Sequence, residues 1–257
     1  MSDDHPDSHH IRAVTFDLSG TLAAHTGFPA DWAATANGAL TAAAGTWQVT
    51  PTAPQLDAAR EWLLEQNPMR NPRLHELSAE EMFRPLFGHL DVPPDLDLTR
   101  AIEIYYDHFA VGIEPFAESA DVVRALLDAQ VPVGILSDVP SGMPRQRTLD
   151  DIASLGADIL ARLRPYTLTS SEVGMRKPSP DGFMQLAALL RVRPADMLYI
   201  GNERCDIDGA HSVGATAALV WRKDGPAPDW GQELTWTDLR PVLNILSDGE
   251  PWRRARA

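Results

Sequence analysis

Short apolar runs alternate with longer amphipathic segments over most of this chain. Residues 11–16 form a β-prone run that stops at Asp17. Between 119 and 129, Val122, Val123, Leu126 and Leu127 share one helical face, with Ser119 placed as an N-cap. Residues 131–136 are almost wholly apolar, the pattern of a strand buried on both sides. Segment 147–155 has a helical pattern, and 166–169 is short and extended. Phe183, Leu186, Ala187 and Leu190 recur at i, i+3, i+4 and i+7, so an amphipathic helix is predicted over 179–191. A second buried strand follows at 197–200, then a helix at 206–213, a strand at 216–221 and a short helix at 239–246. This alternation predicts an α/β fold, a doubly wound parallel sheet covered by helices on both faces.

The stretch 24–114 breaks the rhythm. A strand–helix–strand crossover needs only about 30 residues, yet 120 positions separate Asp17 from Ser137. The surplus is Ala-rich and helical in period, with turn signals at Pro51, Pro54, Asn67–Pro68, Asn71–Pro72 and Pro93–Pro94. Three or four helices are expected there, forming a lid on the sheet. The predicted organisation is a core of 11–23 and 115–246, a helical insert at 24–114, and flexible termini at 1–10 and 247–257.

Composition narrows the function. The net charge of −14 argues against nucleic acid and against an anionic membrane surface, since both would repel the chain. No apolar run approaches the roughly 20 residues of a membrane span. The single cysteine, Cys205, cannot close an internal disulfide, and the polar start MSDDHPDSHH does not read as a signal peptide. A cytoplasmic protein is expected, monomeric or homodimeric, with Cys205 as a small buried residue and His5, His9 and His10 in a solvated terminus. Only two of the 22 basic residues are lysine, Lys177 and Lys223. Lys177 therefore carries more information than a lysine usually does.

In a parallel sheet, ligands bind beyond the carboxyl ends of the strands. Asp17, Ser137, Asp138, Asn202 and Asp206 fall at such ends, and Lys177 precedes the helix at 179. Carboxylates gathered there repel one another unless a cation joins them, and hard oxygen donors with water suit Mg²⁺. A carboxylate nucleophile, a metal, a hydroxyl and a lysine together point to phosphoryl chemistry.

The motifs FDLSGTL (16–22), ILSD (135–138), RKPSPDGF (176–183) and IGNERCDIDGA (200–210) resemble, in order, the four motifs of the haloacid dehalogenase-like superfamily. The insert sits where that family carries its C1 cap. The resemblance implies an Mg²⁺-dependent hydrolase of a small phosphorylated metabolite, with Asp17 as the nucleophile that forms an aspartyl-phosphate. It implies that the Ser19 carbonyl binds Mg²⁺, that Thr21 orients the loop, and that Ser137 and Lys177 grip the phosphate. Asn202 and Asp206 complete the metal shell, directly or through water. Asp138 and His25 are added as candidate substrate contacts, and Glu203 as a further acid nearby.

Two positions depart from the family pattern. Ser19 stands where the family carries the Asp that protonates the leaving oxygen, a loss worth about 10²–10⁴ in rate. Asn202 replaces the first acid of the fourth motif, which weakens the hold on a cation. Three readings of Ser19 stay open: substrates with good leaving groups, such as acyl phosphates or pyrophosphate; a proton supplied by His25 or Glu76; or a binding or regulatory protein with little turnover. Metal-independent haloacid dehalogenation is a further alternative. Phosphonate hydrolysis needs a cap lysine, and no lysine precedes Lys177. The aromatic residues of the insert, including Trp32, Trp47, Trp62, Phe83, Phe87, Tyr105 and Tyr106, are expected to form the core of the lid. Arg70 and Arg73 are read as a solvated loop pair.

Overall fold

The computed structural model describes residues 11–109 and 112–247. The chain opens with β1 (Ala13–Phe16), then β2 (Ala23–Thr26) and four helices, α1 (Trp32–Ala44), α2 (Ala53–Glu65), α3 (Ala79–Gly88) and α4 (Thr99–His108). It returns through β3 (Gly112–Pro115) to α5 (Ser119–Asp128), β4 (Val133–Ser137), α6 (Arg145–Ala153), α7 (Ala157–Leu163), β5 (Thr167–Thr169) and α8 (Ser170–Val173). The rest comprises α9 (Pro180–Leu190), β6 (Met197–Gly201), α10 (Arg204–Ser212), β7 (Thr216–Val220), β8 (Leu234–Trp236) and α11 (Val242–Ser247).

Six strands form one parallel sheet in the order β5-β4-β1-β6-β7-β8. Successive strand residues point to opposite faces, and here both faces are buried. Val14, Phe16, Leu198, Ile200, Ala218 and Val220 pack on one side with α5 and α7, through Val122, Leu126, Ile159 and Leu163. Ala13, Met197, Tyr199, Ala217 and Leu219 pack on the other with α9 and α10, through Phe183, Leu186, Ile207 and Ala210. That double burial is why the strands read as unbroken apolar runs. The chain winds outward from β1 to β4 and β5, then crosses back to β6 and beyond. The order thus reverses beside β1, the point in such sheets where ligands are received.

The helices between β2 and β3 have a core of their own. Alanines 36, 39, 43 and 44 give α1 a small-sided face, on which α4 packs closely. Phe83 meets Phe87, Tyr105 and Tyr106 with ring centroids 5.7, 5.1 and 5.8 Å apart. Ser78 and Glu81 close a reciprocal cap at the start of α3, satisfying amide hydrogens that a helix leaves unpaired. Where the chain enters and leaves this insert, β2 and β3 pair antiparallel, with Ala23 opposite Pro115 and Thr26 opposite Gly112.

The structure adds elements that the apolar pattern does not announce: the β2–β3 ribbon, α7 and the edge strand β8. It also starts α10 at Arg204 rather than at 206, which matters for the site. The expectations for 1–10, including His5, His9 and His10, and for 248–257 lie outside the described residues. Among the described residues, no helix is long and apolar enough to cross a membrane.

Candidate active site

β1 ends at Phe16 and delivers Asp17 to the switch point, its backbone N–H donating to the Ile200 carbonyl at 2.9 Å. The chain then turns sharply through Gly20. This residue has φ +82°, and a Cβ there would lie 2.4 Å from the Asn202 amide, so only glycine closes the loop. Lys177 comes from the segment before α9 and Asp206 from the first turn of α10. Its ammonium donates to Asp17 Oδ1 at 2.7 Å and to Asp206 Oδ1 at 2.6 Å, with a weaker 3.4 Å contact to the Tyr199 hydroxyl. That hydroxyl in turn donates to the Leu136 carbonyl at 2.8 Å. Tyr199 is a site residue that the pattern conceals: a tyrosine in the middle of a strand buried on both sides needs a polar partner.

The electrostatics follow from burial. Desolvation is the largest influence on Asp17; Lys177 opposes it, Asp206 adds to it, and the carboxyl is pushed up to about 7. Burial works against the Lys177 ammonium, but Asp17 and Asp206 together outweigh it and hold its pKa well above that of an ordinary lysine. Burial likewise raises Asp138, against the pull of Lys177 and Arg176.

Asp206 does not cap α10 as its N-cap. With the helix starting at Arg204, Glu203 takes that place, and Asp206 Oδ2 loops back to accept from the backbone N–H groups of Asn202 and Glu203 at 3.0 and 2.9 Å. Both Asp206 oxygens are thus engaged. Gly201 makes room for this, since a Cβ there would lie 2.2 Å from the carboxylate carbon.

Asn202 faces the loop of Asp17. Its side-chain terminus lies 2.9 Å from the Ser19 carbonyl, 3.3 Å from Asp17 Oδ2 and 3.1 Å from Thr21 Oγ1. Hydrogen bonding turns the amide nitrogen toward these three oxygens. The same separations suit Mg²⁺ taken through the amide oxygen, because Mg–O bonds of about 2.0–2.1 Å put neighbouring ligands of an octahedron roughly 3 Å apart. Asp17 Oδ2, the Ser19 carbonyl and Asn202 therefore fit such an ion. Asp206, whose oxygens are engaged by Lys177 and by two backbone N–H groups, adds negative charge nearby. Thr21, expected to orient the loop, is fully buried, and its hydroxyl reaches Asp17 and Asn202.

Ser19 Oγ lies 2.9 Å from His25 Nδ1 on β2, and His25 Nε2 lies 3.6 Å from Asp151 on α6. Serine, imidazole and carboxylate thus line up at the position where the family has its acid. Asp151 carried no signal in the sequence, being one of several polar residues on an amphipathic helix. Ser137 closes β4, and its hydroxyl lies 3.5 Å from the Asp138 carbonyl, too long to hold it. Asp138 accepts from the Lys177 backbone N–H at 3.2 Å and sits 3.7 Å from the Arg176 guanidinium. Cys205 contacts Glu203 at 3.7 Å, and burial pushes its thiol far up, away from reactivity.

Glu76 has a different role from the proton donor considered above. Its buried carboxylate accepts from Ser141 and Ser170, both at 2.7 Å, and from Arg176, with Arg73 at 3.8 Å. Arg73 is correspondingly no solvated residue; it donates to the Gln66 carbonyl and to Ser141 at 2.6 and 2.7 Å. Backbone bonds join the same segments, Glu76 N–H to the Gly174 carbonyl at 3.0 Å and Arg176 N–H to the Leu74 carbonyl at 2.7 Å. This clasp ties the helical insert to the loops carrying Asp138 and Lys177. Glu76→Ala is expected to cost about 3–5 kcal/mol, because Arg176 and both hydroxyls lose a buried partner; urea unfolding at neutral pH measures it.

A cleft of about 770 Å³ opens between insert and sheet edge, with Leu18, Ser19, Ser137 and Asp138 at one end. A buried carboxylate held beside an ammonium, adjoining Leu18 and Ser19 of the cleft wall, can act as a nucleophile, and hydroxyls, imidazole and hard oxygens stand around it.

Comparison with known proteins places the chain in a family. The profile of haloacid dehalogenase-like hydrolases matches residues 11–214. Phosphoglycolate phosphatase of Escherichia coli K12 is 25% identical, covering 91% of this chain and 93% of the relative. That of Neisseria meningitidis serogroup A is 24% identical, covering 86% and 89%. Among solved structures, a HAD phosphatase from Thermococcus onnurineus superposes with a TM-score of 0.57 at 20% identity, over 92% of this chain and 98% of the other. A 2-haloacid dehalogenase from Pseudomonas syringae pv. tomato does so with 0.57 at 22% identity, over the same shares. At such identities the structural likeness speaks for the fold. The profile match settles the family: the chain belongs to the haloacid dehalogenase-like hydrolases.

Proposed function

We propose that the chain is a phosphatase acting on a small-molecule phosphate through an aspartyl-phosphate on Asp17. The observation that carries this is the buried Asp17 carboxylate bound to Lys177, next in the chain to Leu18 and Ser19 of the cleft wall. The phosphoglycolate phosphatases that match most of the chain support it. Asp17 attacks phosphorus, the bond to the leaving oxygen breaks, and a water later cleaves the acyl phosphate. Lys177 keeps positive charge beside Asp17 throughout, and Ser137 offers its hydroxyl to a phosphate oxygen. Asp17, the Ser19 carbonyl and Asn202, with Asp206 beyond them through water, would hold Mg²⁺, which would neutralise phosphate charge there. The insert 24–114 serves as the cap that shields the reacting group from solvent.

Ser19 passes the proton. Its hydroxyl donates to the leaving oxygen while His25, 2.9 Å behind it, makes good the loss; water activation runs the path in reverse. His25→Ala is expected to lower kcat/KM, which reports the step that forms the aspartyl-phosphate, about 10²-fold for alkyl phosphates and little for acetyl phosphate, whose leaving group needs no proton. Ser19→Asp restores the family's acid and raises alkyl phosphate turnover. Equal losses on both substrate types in His25→Ala would refute the relay.

A second reading, a binding protein with little turnover, is favoured by Asn202: its amide can donate to the acceptors a cation would use. Phosphate release from a panel including acetyl phosphate and pyrophosphate, with and without Mg²⁺, separates the two. Metal-dependent turnover supports the phosphatase. Silence of the wild type, with activity appearing in Ser19→Asp, supports the binding protein.

A further inference from the structure

The cleft is larger and greasier than a two-carbon phosphate such as phosphoglycolate needs. Beyond Ser19 and Ser137 its walls are built by Phe28, Trp32, Met69, Tyr105, Phe109 and Met143. At about 770 Å³ it matches sites that enclose drug-sized ligands.

Its charges argue in the same direction. Two guanidiniums line it, and both are already paired: Arg147 with Asp107 at 2.6 Å, Arg176 with Glu76 and Asp138. Asp138, Asp150 and Asp151 also line it and would repel a second anionic group on the substrate. A carboxylate leaving group therefore finds no good counter-ion here, whereas an apolar one finds wall in Phe28, Trp32, Tyr105, Phe109 and Met143.

Two residues of the rim are left wet. Phe28 is 70% exposed and Met69 84% exposed, although both are large and apolar. Phe28 packs beside His25, ring centroids 6.4 Å apart, and His25 touches Ser19. An apolar group joined to a phosphate at Ser19 would cover Phe28 and gain its burial energy. Met69, unbranched and adaptable, suits the other side of a variable ligand.

We infer that the substrate is a phosphate monoester whose leaving group is bulky, uncharged and apolar, a ring or chain seated on Phe28, Trp32 and Met69. This deepens the phosphatase reading and rests on it for turnover. In a series of ethyl, butyl and octyl phosphate, kcat/KM with Mg²⁺ is expected to rise at least about tenfold from first to last. Octyl phosphate should also exceed phosphoglycolate. Phe28→Ala, a change at an exposed site that does not threaten the fold, should lower the octyl-to-ethyl ratio about fivefold. A flat series, a preference for phosphoglycolate, or a ratio indifferent to Phe28→Ala overturns the inference.

Binding of octylphosphonate and ethylphosphonate by calorimetry keeps the two ideas apart. No turnover of any ester or of acetyl phosphate sinks the phosphatase reading. Octylphosphonate bound at least about tenfold tighter still upholds the apolar cleft, and equal affinities overturn it.

Discussion

Asp17→Asn loses turnover by about 10⁴-fold or more while the protein stays folded. The size follows from the role: a nucleophile that forms a covalent intermediate has no stand-in, and removing one member of such a unit costs nearly as much as removing them all. The fold survives because asparagine keeps the shape of the side chain, and Lys177 keeps Asp206 at 2.6 Å. Phosphate release measured beside a thermal melt reads both. Retention of turnover in Asp17→Asn would mean that another group attacks phosphorus. The wild-type enzyme has a pH signature at the same atom. Burial, the largest influence, raises Asp17 to about 7, and only the ionised form attacks. kcat/KM therefore climbs from about pH 5, bends near pH 7 and flattens by about pH 8. A profile already flat at about pH 5 would show that a bound cation offsets the burial, since a nearby positive charge favours the ionised form.

Lys177→Met is expected to damage stability and activity together. The lysine side chain is 4% exposed and stands between two carboxylates that are 8% and 1% exposed. Without it, Asp17 and Asp206 face each other with no counter-charge, and stripping one partner from a buried ion pair costs about 3–5 kcal/mol. Turnover falls at least about 10²–10³-fold with the loss of a fixed positive charge beside the reacting group. The penalty has a direction in pH. In the variant Asp17 loses the opposing charge of Lys177 and rises further above its unfolded value, so the folded state binds more protons and loses stability as pH rises. Urea midpoints of variant and wild type should therefore differ more at about pH 8 than at about pH 5. A pH-independent difference would argue that the lost packing of the lysine chain, and not charge, dominates. Arginine does not rescue the site, because its planar fork does not fit a position shaped for a compact ammonium.

The sheet was legible because its strands are buried on both faces. Val133–Ser137 and Met197–Gly201 are apolar almost throughout, and no other element class of that length looks the same. β8 escaped notice for the opposite reason: Leu234–Trp236 is three residues long, partly exposed and at the sheet edge. The β2–β3 ribbon has no alternation, and its two halves lie far apart in the chain. In the site, strand-end residues announced themselves one by one. Their partners did not. Glu76 meets Ser141, Ser170 and Arg176 across 65, 94 and 100 positions, and His25 meets Asp151 from another element altogether. Nothing in a local pattern encodes such meetings, which depend on how the insert settles on the sheet.

The short ribbon at the root of the insert bears on how the chain reaches this structure. β1 pairs with β4, Val14 opposite Val133, so the central strands of the sheet come together only after a long intervening segment has been closed. The cost of closing a loop grows as roughly 1.5RT ln n, and long-range pairings of this kind slow folding. The four helices have their own apolar core, and their ends are joined where Ala23 lies opposite Pro115. Once the insert has collapsed, the effective loop between β1 and β4 shrinks from about 116 residues to about 25, which saves roughly 1.4 kcal/mol of closure entropy. An insert that collapses before the sheet would act as a staple, and substitutions that weaken the ribbon at its root are expected to slow folding.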